Sequence, residues 1–162
     1  MTLHLLDADV LIRAHEDYYP VDRVAPFWAW LLQQAVVGSV KMAQQNYGEI
    51  ADSRGLLADW LNQADVKGAI VLDEPTDVAV VQRVLTHGYA PNLTDVDLEK
   101  IGRDPFLIAA ALRAPDRIVV TREVSKPSKQ GANRKIPDVC QTFGVPCIND
   151  FALWRKLNFS IG

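Results

Sequence analysis

Two carboxylates stand one residue apart near the start of the chain, in the segment "HLLDADVLIRAHEDYYP". Asp7 and Asp9 directly follow the short apolar run Leu3–Leu6, which has the composition of a buried β-strand. Like charges this close repel each other, and burial adds a large desolvation cost. Three arrangements would compensate for this repulsion and desolvation. The two carboxylates could bind a divalent cation, they could carry out phosphoryl chemistry with one Asp as nucleophile and the other as acid, or they could be exposed at a strand–helix turn.

Three further acids stand at places where side chains could reach the same pocket. Glu49 lies in the helical segment "QQNYGEIAD", Asp104 opens "DPFLIAAALR", and Glu123 follows Thr121 in "IVVTREVS". Each also has an ordinary structural interpretation. Asp7, Asp9 or Asp104 would serve as a helix N-cap, Glu49 as a solvated helix residue, and Glu123 as an exposed loop acid.

The elements that must position these acids follow from the apolar pattern. Short β-branched runs predict strands, and longer amphipathic or apolar stretches between them predict helices. The predicted strands are Leu3–Leu6, Ala69–Leu72, Ile118–Val120 and Val145–Ile148; the predicted helices are Ala25–Val37, Gly55–Ala64, Asp77–Gly88, Asp104–Arg113, Pro137–Gly144 and Asn149–Leu157. This alternation predicts an α/β three-layer sandwich with a central parallel sheet of four or five strands. Sites in such sheets lie at the carboxyl ends of strands, where Asp7 and Asp9 stand.

Composition sets the broad class of the protein. The 162 residues predict a single domain, 1–162, and the 49% hydrophobic and 23% charged residues are ordinary for a globular protein. No apolar stretch approaches the roughly 20 residues of a membrane span, and no signal peptide is expected. Cys140 and Cys147 have no metal-ligand spacing, which favours free thiols in a reducing cytoplasm. The net charge of −3 argues against nonspecific coating of nucleic acid but allows a local basic strip.

Four motifs in order resemble the PIN-domain ribonucleases, the fold of the VapC-like toxins of toxin–antitoxin pairs. "LLDADVLI" is similar to that family's opening strand, "YGEI" to its second acid on a helix, "RDPFLIAAAL" to its third acid heading a buried helix, and "VVTRE" to its Thr-x-acid strand end. The longer segments "VLIRAHEDYYPVDRVAPFWAWL" and "KIPDVCQTFGVPCIN" resemble an uncharacterised PIN-domain family, a domain of unknown function. Two positions depart from the pattern: Asp9 stands where Asn, Ser or Thr is usual, and Glu123 where Asp is usual.

The resemblance implies a Mg²⁺- or Mn²⁺-dependent endoribonuclease that leaves a 5′-phosphate and a 3′-hydroxyl. Carboxylates suit this chemistry because Mg²⁺ and Mn²⁺ prefer hard oxygen ligands and retain waters that they can activate. Asp7, Glu49, Asp104 and Glu123 are the expected catalytic and metal-binding residues, with Asp9 as a further ligand and Thr121 in support. His4, His15 and His87 have no metal partner in the sequence. The resemblance also implies a cytoplasmic homodimer with an antitoxin protein as partner, and the aromatic segment "PFWAWLL" is a candidate partner face.

Substrate binding needs positive charge near the acids. The segment "TREVSKPSKQGANRK" carries five basic residues against one acid and is rich in Ser, Pro, Gly and Asn, which predicts a basic loop. Such a loop beside a metal site is a candidate clamp for a single-stranded RNA backbone, and a solvated loop without that role is the alternative. The expected RNA-binding residues are Arg13, Arg122, Lys126, Lys129, Arg134 and Lys135.

Two other functions fit part of the pattern. A PIN-like scaffold could bind RNA or a protein without cleaving it, although all the core acids are present. A haloacid-dehalogenase-type phosphatase also opens with strand–Asp-x-Asp, with the first Asp attacking phosphorus. That family needs a lysine and a late pair of acids; the candidates here, Asp138 and Asp150, are poorly spaced, and Asp104 would have no role.

Overall fold

A four-stranded parallel sheet forms the centre of the computed structural model, which describes residues 1–162. Its strands are β1 (Leu3–Leu6), β2 (Val40–Lys41), β3 (Arg117–Val120) and β4 (Cys147–Ile148), in the spatial order β2-β1-β3-β4. All neighbouring strands run parallel. Helices flank the sheet, so the prediction of an α/β sandwich with a parallel sheet of four or five strands is confirmed.

Ten helices connect and cover the strands. They are α1 (Ala8–Arg13), α2 (Ala25–Val36), α3 (Gln44–Ala51), α4 (Leu56–Leu61), α5 (Ala64–Ile70), α6 (Val78–Arg83), α7 (Asp95–Ile101), α8 (Asp104–Leu112), α9 (Ile136–Phe143) and α10 (Asp150–Lys156). Two of them continue into a π-helical turn, α1 into Ala14–Tyr18 and α6 into Val84–Tyr89. No helix combines the length and the apolar character that crossing a membrane requires.

The predicted strand Ala69–Leu72 is wrong. Its first two residues belong to α5, because Val66 and Ile70 lie four positions apart and bury the same helical face. Only Val71 reaches the sheet, through a single parallel bridge to Met42 just after β2. A short apolar run of this kind fits a strand and the end of a buried helix equally well.

The predicted helix Gly55–Ala64 ends early, at Leu61, and its last residue, Ala64, begins the next helix. The side-chain amide of Asn62 ends α4 by donating hydrogen bonds to the carbonyls of Ala51 (2.8 Å) and Ala58 (2.9 Å). The hydroxyl of Tyr47 donates to the carbonyl of Leu61 at 2.7 Å. Since the last carbonyls of a helix need such partners, these side chains close α4 and let α5 begin in a new direction.

Two hydrophobic clusters cover the two faces of the sheet. Leu6 and Val120 belong to a cluster of 21 buried residues, whereas their neighbours Leu5 and Val119 belong to one of 14. Successive strand residues point to opposite faces, so this alternation places one cluster on each side. Helix α8 is buried nearly all round, as its apolar sequence predicts. The central strands β1 and β3 are therefore buried on both faces, and a site can form only at their ends.

The aromatic residues of "PFWAWLL" pack inside the fold. Phe27 and Trp28 are buried, and the Phe27 ring lies 4.5 Å from Tyr19 and 5.1 Å from Trp154, centroid to centroid. Trp30 is half-buried and lies 5.8 Å from Trp154. These rings stabilise the contact between α2 and α10 and do not form a free face for a partner. The homodimer stays a prediction that this segment does not support.

Gly88 offers a test of the packing of the π-helical turn. A Cβ atom there would lie 2.8 Å from carbon atoms of both Val139 and Phe143, so Gly88→Ala should lower the free energy of unfolding by about 1–3 kcal/mol. Gly68 in α5 has open space around its Cα, so Gly68→Ala should leave stability unchanged or raise it by up to about 1 kcal/mol. Urea unfolding of both variants measures the difference. Equal stability of the two would show that the turn is loosely packed.

Candidate active site

The carboxyl ends of β1 and β3 bring Asp7 and Thr121 together. Leu6 pairs with Val120 in the parallel register, so the next residues lie side by side, and the Asp7 amide donates to the Val120 carbonyl at 2.8 Å. The Thr121 hydroxyl donates a hydrogen bond to Asp7 Oδ2 at 2.8 Å. The strand order reverses at this point, since β1 leads to β2 on one side and β3 lies on the other. Open α/β sheets bind ligands at such a switch point.

Asp7 is a buried carboxyl without a cation beside it. The residue is only 6% exposed. Burial raises its pKa well above the usual value, the charges of Asp9 and Asp104 raise it further, and the Thr121 hydrogen bond opposes them. Asp7 occupies the N-cap position of α1, but its side chain makes no capping hydrogen bond. The capping interpretation therefore does not account for this carboxylate.

Asp9 is held mainly by the backbone of the chain after β3. Its two carboxylate oxygens accept from the Arg122 amide at 3.2 and 3.3 Å, and Oδ2 lies 3.4 Å from the Thr121 hydroxyl. A hydroxyl has one proton to donate, and the shorter contact assigns it to Asp7. Burial raises the pKa of Asp9, while the Arg122 amide lowers it. Asp9 thus fastens the start of α1 to the residue after Thr121.

Asp104 faces the other acids from the first turn of α8. The N-cap residue of α8 is Arg103, and its cap makes no side-chain hydrogen bond, so the prediction that Asp104 caps the helix is wrong. Pro105 takes the second helical position, which leaves Asp104 inside the helix with its carboxyl free. Burial first, and then the charges of Glu123, Glu49 and Asp9, raise the pKa of Asp104 to about 7, against a lowering effect of Lys135.

Glu49 and Glu123 complete the group from opposite sides. Glu49 is an exposed residue of α3, and its pKa is raised by partial burial of the carboxyl and by Asp9, while Arg103 lowers it. Glu123 Oε2 accepts a hydrogen bond from the Ile136 amide at 3.0 Å, and burial raises its pKa against the effects of that amide and of Lys135. Each of the five predicted acids therefore interacts electrostatically with at least one of the others.

The donor chemistry of this group fits a hard divalent cation, but the side chains do not converge on one point. Every candidate ligand is a carboxylate, which suits Mg²⁺ and Mn²⁺. Burial is the main cause of the raised pKa values of Asp7, Asp9 and Asp104, and neighbouring acids add to it at Asp7 and Asp104. A bound cation would favour the charged forms of these carboxyls. No three His, Cys, Asp or Glu side chains, however, stand close enough together to hold a metal ion. Coordination by three of these carboxylates would require their side chains to rotate toward each other.

Two of the predicted RNA-binding arginines use their guanidinium groups inside the protein. Arg122 Nη1 donates to both carboxylate oxygens of Asp150, at 3.0 and 3.2 Å, and its guanidinium carbon lies 5.7 and 5.6 Å from the rings of Tyr18 and Phe151. Arg134 donates to the carbonyls of Gly88 and Asp138 and to the Thr142 hydroxyl. Both guanidinium groups therefore donate to acceptors within the protein, and neither is free to bind a phosphate with two parallel hydrogen bonds.

Of the remaining predicted RNA-binding residues, one forms an ion pair and three have no partner. Arg13 forms an exposed ion pair with Asp17 at 2.7 Å. Lys126, Lys129 and Lys135 make no side-chain hydrogen bond or ion pair within the chain. The loop that carries them is irregular, as predicted, apart from a short 3₁₀ turn at Gly131–Asn133. These lysines are the part of the basic segment that is free to meet a substrate.

Asp138 and Asp150, the late acids of the phosphatase alternative, have structural roles. Asp138 is buried and accepts from the Ser125 hydroxyl and from the Lys126 amide, which ties the loop to α9. Asp150 is buried against Arg122. The phosphatase alternative needs both acids at its site, and their contacts with the loop leave it without support.

Sequence reasoning missed several polar groups near the site. Asn46 is fully buried one helical turn before Glu49, and neither its amide nitrogen nor its oxygen has a partner. The buried hydroxyl of Tyr89 also has none. Arg103 donates to the Gln45 carbonyl at 2.8 Å and joins α8 to α3. None of these residues belongs to a recognisable motif, and their proximity depends on contacts between distant segments.

One family model covers nearly the whole chain. It matches residues 4–161 and is described as DUF4411, a domain of unknown function. No curated protein matches the sequence.

The raised pKa of Asp104 predicts how stability depends on pH. Its carboxyl binds a proton more tightly in the folded chain (pKa about 7) than at its usual value of 3.8. The folded state therefore holds more protons across this interval, and the free energy of unfolding should fall as the pH rises from about 4 to about 7. Asp104→Asn should flatten this fall, whereas the exposed Asp59→Asn should not. Thermal unfolding at several pH values measures it, and an equally steep fall in Asp104→Asn would contradict the assignment.

Proposed function

We propose that this chain, which belongs to the DUF4411 family, is a metal-dependent endoribonuclease of the PIN type, a function inferred from the site itself. The observation that carries the proposal is the group of five carboxylates at the β1–β3 switch point. Burial raises the pKa of all five, the charges of neighbouring acids raise it further at Asp7, Glu49, Asp104 and Glu123, and no cation of the protein pairs with Asp7. Buried acids without such a partner are costly to stability, and they are typical of sites that bind a cation.

The residues have distinct roles in this proposal. Asp7 and Asp104, the two most strongly perturbed carboxyls, are the principal metal-binding groups, and Glu49 joins them from α3. Thr121 orients Asp7 through its hydroxyl, and Asp9 and Glu123 complete the negative field. A bound Mg²⁺ or Mn²⁺ supplies an acidified water and positive charge for the phosphoryl group. The similarity to PIN ribonucleases supports products with a 5′-phosphate and a 3′-hydroxyl.

Three further parts of the proposal rest on that same similarity. The protein acts in the cytoplasm, works as a homodimer, and is the toxin of a toxin–antitoxin pair with an antitoxin protein as partner. Cys140 and Cys147 are both free, which agrees with a reducing compartment. RNA is the proposed substrate because Lys129 and Lys135 leave free ammonium groups in the same pocket as Asp104 and Glu123, and Lys126 is exposed on the same loop. The phosphates of a strand would pass along these groups.

A catalytically inactive scaffold is the second candidate. It is favoured by one observation, namely that no three potential ligands stand in a metal-holding group. Such a protein would bind RNA or a partner protein through the same lysines. Its buried acids would serve only in structural hydrogen bonds, as Asp7 and Asp9 do with Thr121 and the Arg122 amide. The two candidates differ in their response to a divalent cation and to removal of single carboxylates.

Cleavage by single-residue variants tests the enzyme proposal. Asp7→Asn, Glu49→Gln and Asp104→Asn should each reduce Mn²⁺-dependent cleavage of a single-stranded RNA by at least about tenfold, since each removes a charge from one shared site. Asp59→Asn, the same change on an exposed residue of α4, should cleave like the wild type. Circular dichroism checks that the variants are folded. Cleavage by Asp7→Asn at the wild-type rate would rule out the nuclease proposal.

Metal binding has its own signature in stability. A cation that binds the acids of the folded protein but not the unfolded chain raises the free energy of unfolding by about 2.7 kcal/mol at a concentration of 100 times its Kd. For a domain of this size, that corresponds to a rise in melting temperature of roughly 5–10 °C. Mn²⁺ should therefore raise the melting temperature of the wild type and of Asp59→Asn, but much less that of Asp7→Asn or Asp104→Asn. A melting temperature unmoved by Mn²⁺ in the wild type would favour the inactive scaffold.

A further inference from the structure

A polar cavity of about 260 Å³ opens beside the acid group, on the side of α8 and the basic loop. This is room enough for a tetrahedral anion. Two of its lining residues are acids of the site, and four are cations from α7 and the segment before α9. The charged lining residues are Asp104, Glu123, Lys100, Lys129, Arg134 and Lys135. Four positive charges against two negative ones make the cavity attractive to an anion.

The four cations differ in how free they are. Lys129 and Lys135 have no partner, and Lys135 lies close enough to Asp104 and Glu123 to lower the pKa of both. Lys100 donates to the side-chain oxygen of Asn133, an exposed contact that an anion can replace. Arg134 is held by its three acceptors and fixes the wall of the cavity. The free ammonium groups of Lys129 and Lys135 therefore belong to the loop segment, and that of Lys135 lies near the acids.

Tyr89 contributes a hydrogen-bond donor with no partner in the protein. The residue lines the cavity, is only 7% exposed, and its hydroxyl makes no hydrogen bond. A buried hydroxyl left unpaired costs about 1–3 kcal/mol, so an acceptor from outside the chain is expected there. Burial and the charges of Asp104 and Glu123 raise the pKa of Tyr89, which keeps its proton available for donation.

We propose that this cavity is a phosphate-binding subsite, in which the Tyr89 hydroxyl and the ammonium groups of Lys129, Lys135 and Lys100 bind one phosphate group of the substrate strand. The inference rests on the proposed function, because it places that phosphate next to the one the acids would cleave. Hydroxyl and ammonium groups are common ligands of nucleic-acid phosphates. Asp104 and Glu123 repel an anion, so the phosphate would lie against the ammonium groups and away from the two carboxylates.

Two sources of phosphate share this chemistry, an internal phosphodiester and a terminal phosphate monoester. Dimethyl phosphate represents the first and methyl phosphate the second. Each is titrated into the ¹⁵N-labelled full chain in EDTA, at constant ionic strength, and the amide signals of Ala132 and Asn133 at the cavity wall report binding. We expect saturable shifts with at least one probe, and the tighter probe identifies the source. Wild-type signals that fail to saturate with either probe would overturn the inference.

Variants assign the binding to the cavity. Lys135→Ala should weaken binding of the tighter probe by about tenfold or more, and Tyr89→Phe by about two- to tenfold. Tyr89→Phe should not lower the melting temperature, since the hydroxyl it removes has no partner in the chain. Lys67→Ala, the same loss of charge on an exposed residue of α5, is the matched control and should bind like the wild type. Wild-type affinity in both Lys135→Ala and Tyr89→Phe would overturn the inference.

This experiment is independent of catalysis because it uses no metal and no cleavable bond. If the protein cleaves RNA but binds neither phosphate probe, the subsite inference is wrong and the nuclease proposal stands. Phosphate binding in a protein that cleaves no RNA would remove the nuclease and leave an anion-binding cavity.

Discussion

The parallel pairing of β1 with β3 is the constraint on which the candidate site depends. Leu6 opposite Val120 places Asp7 next to Thr121, and the backbone and side-chain hydrogen bonds between the two strand ends follow from that register. A shift by one residue would turn each strand's buried side chains to the opposite face and separate the pair. The two hydrophobic clusters prevent such a shift, because Leu5 and Val119 fill one of them while Leu6 and Val120 fill the other.

Around this pair, the protein holds its acids apart with its own backbone and side chains. Arg122 makes three kinds of contact. Its amide donates to Asp9, its guanidinium donates to Asp150, and the rings of Tyr18 and Phe151 lie next to the guanidinium. Asp138 fastens the loop that follows. The loop residues nearest the sheet, up to the Lys126 amide, are thus held by hydrogen bonds, and the lysine side chains without partners begin at Lys126. The residues near the acids are held in place, whereas the lysine side chains have no partners. This arrangement suits a site that keeps its carboxylates fixed while a flexible RNA strand binds.

The sequence predicted the elements with strong local patterns and the acids attached to them. β1 has the predicted bounds, and Asp7, Asp104 and Thr121 follow from strand and helix ends. The helical state of Ala69 rests on the spacing of Val66 and Ile70, which begins before the short apolar run predicted as a strand. The helix break at Asn62 depends in part on the Tyr47 side chain from another segment, which no local pattern reveals. For the same reason Tyr89 and Lys100 were not predicted at the site, whereas Arg122 and Arg134 turned out to have internal partners.

The two π-helical turns place a tyrosine on each side of the acids. Ala14–Tyr18 ends at the ring against Arg122, and Val84–Tyr89 ends at the ring in the cavity. Such a turn contains one residue more than a regular helix needs, and π-bulges are frequent at functional sites. Because each residue turns an α-helix by about 100°, a relative with one residue fewer in either segment would direct that ring elsewhere. The length of these segments is therefore a marker of which family members share the site, independent of whether the tyrosine itself is retained.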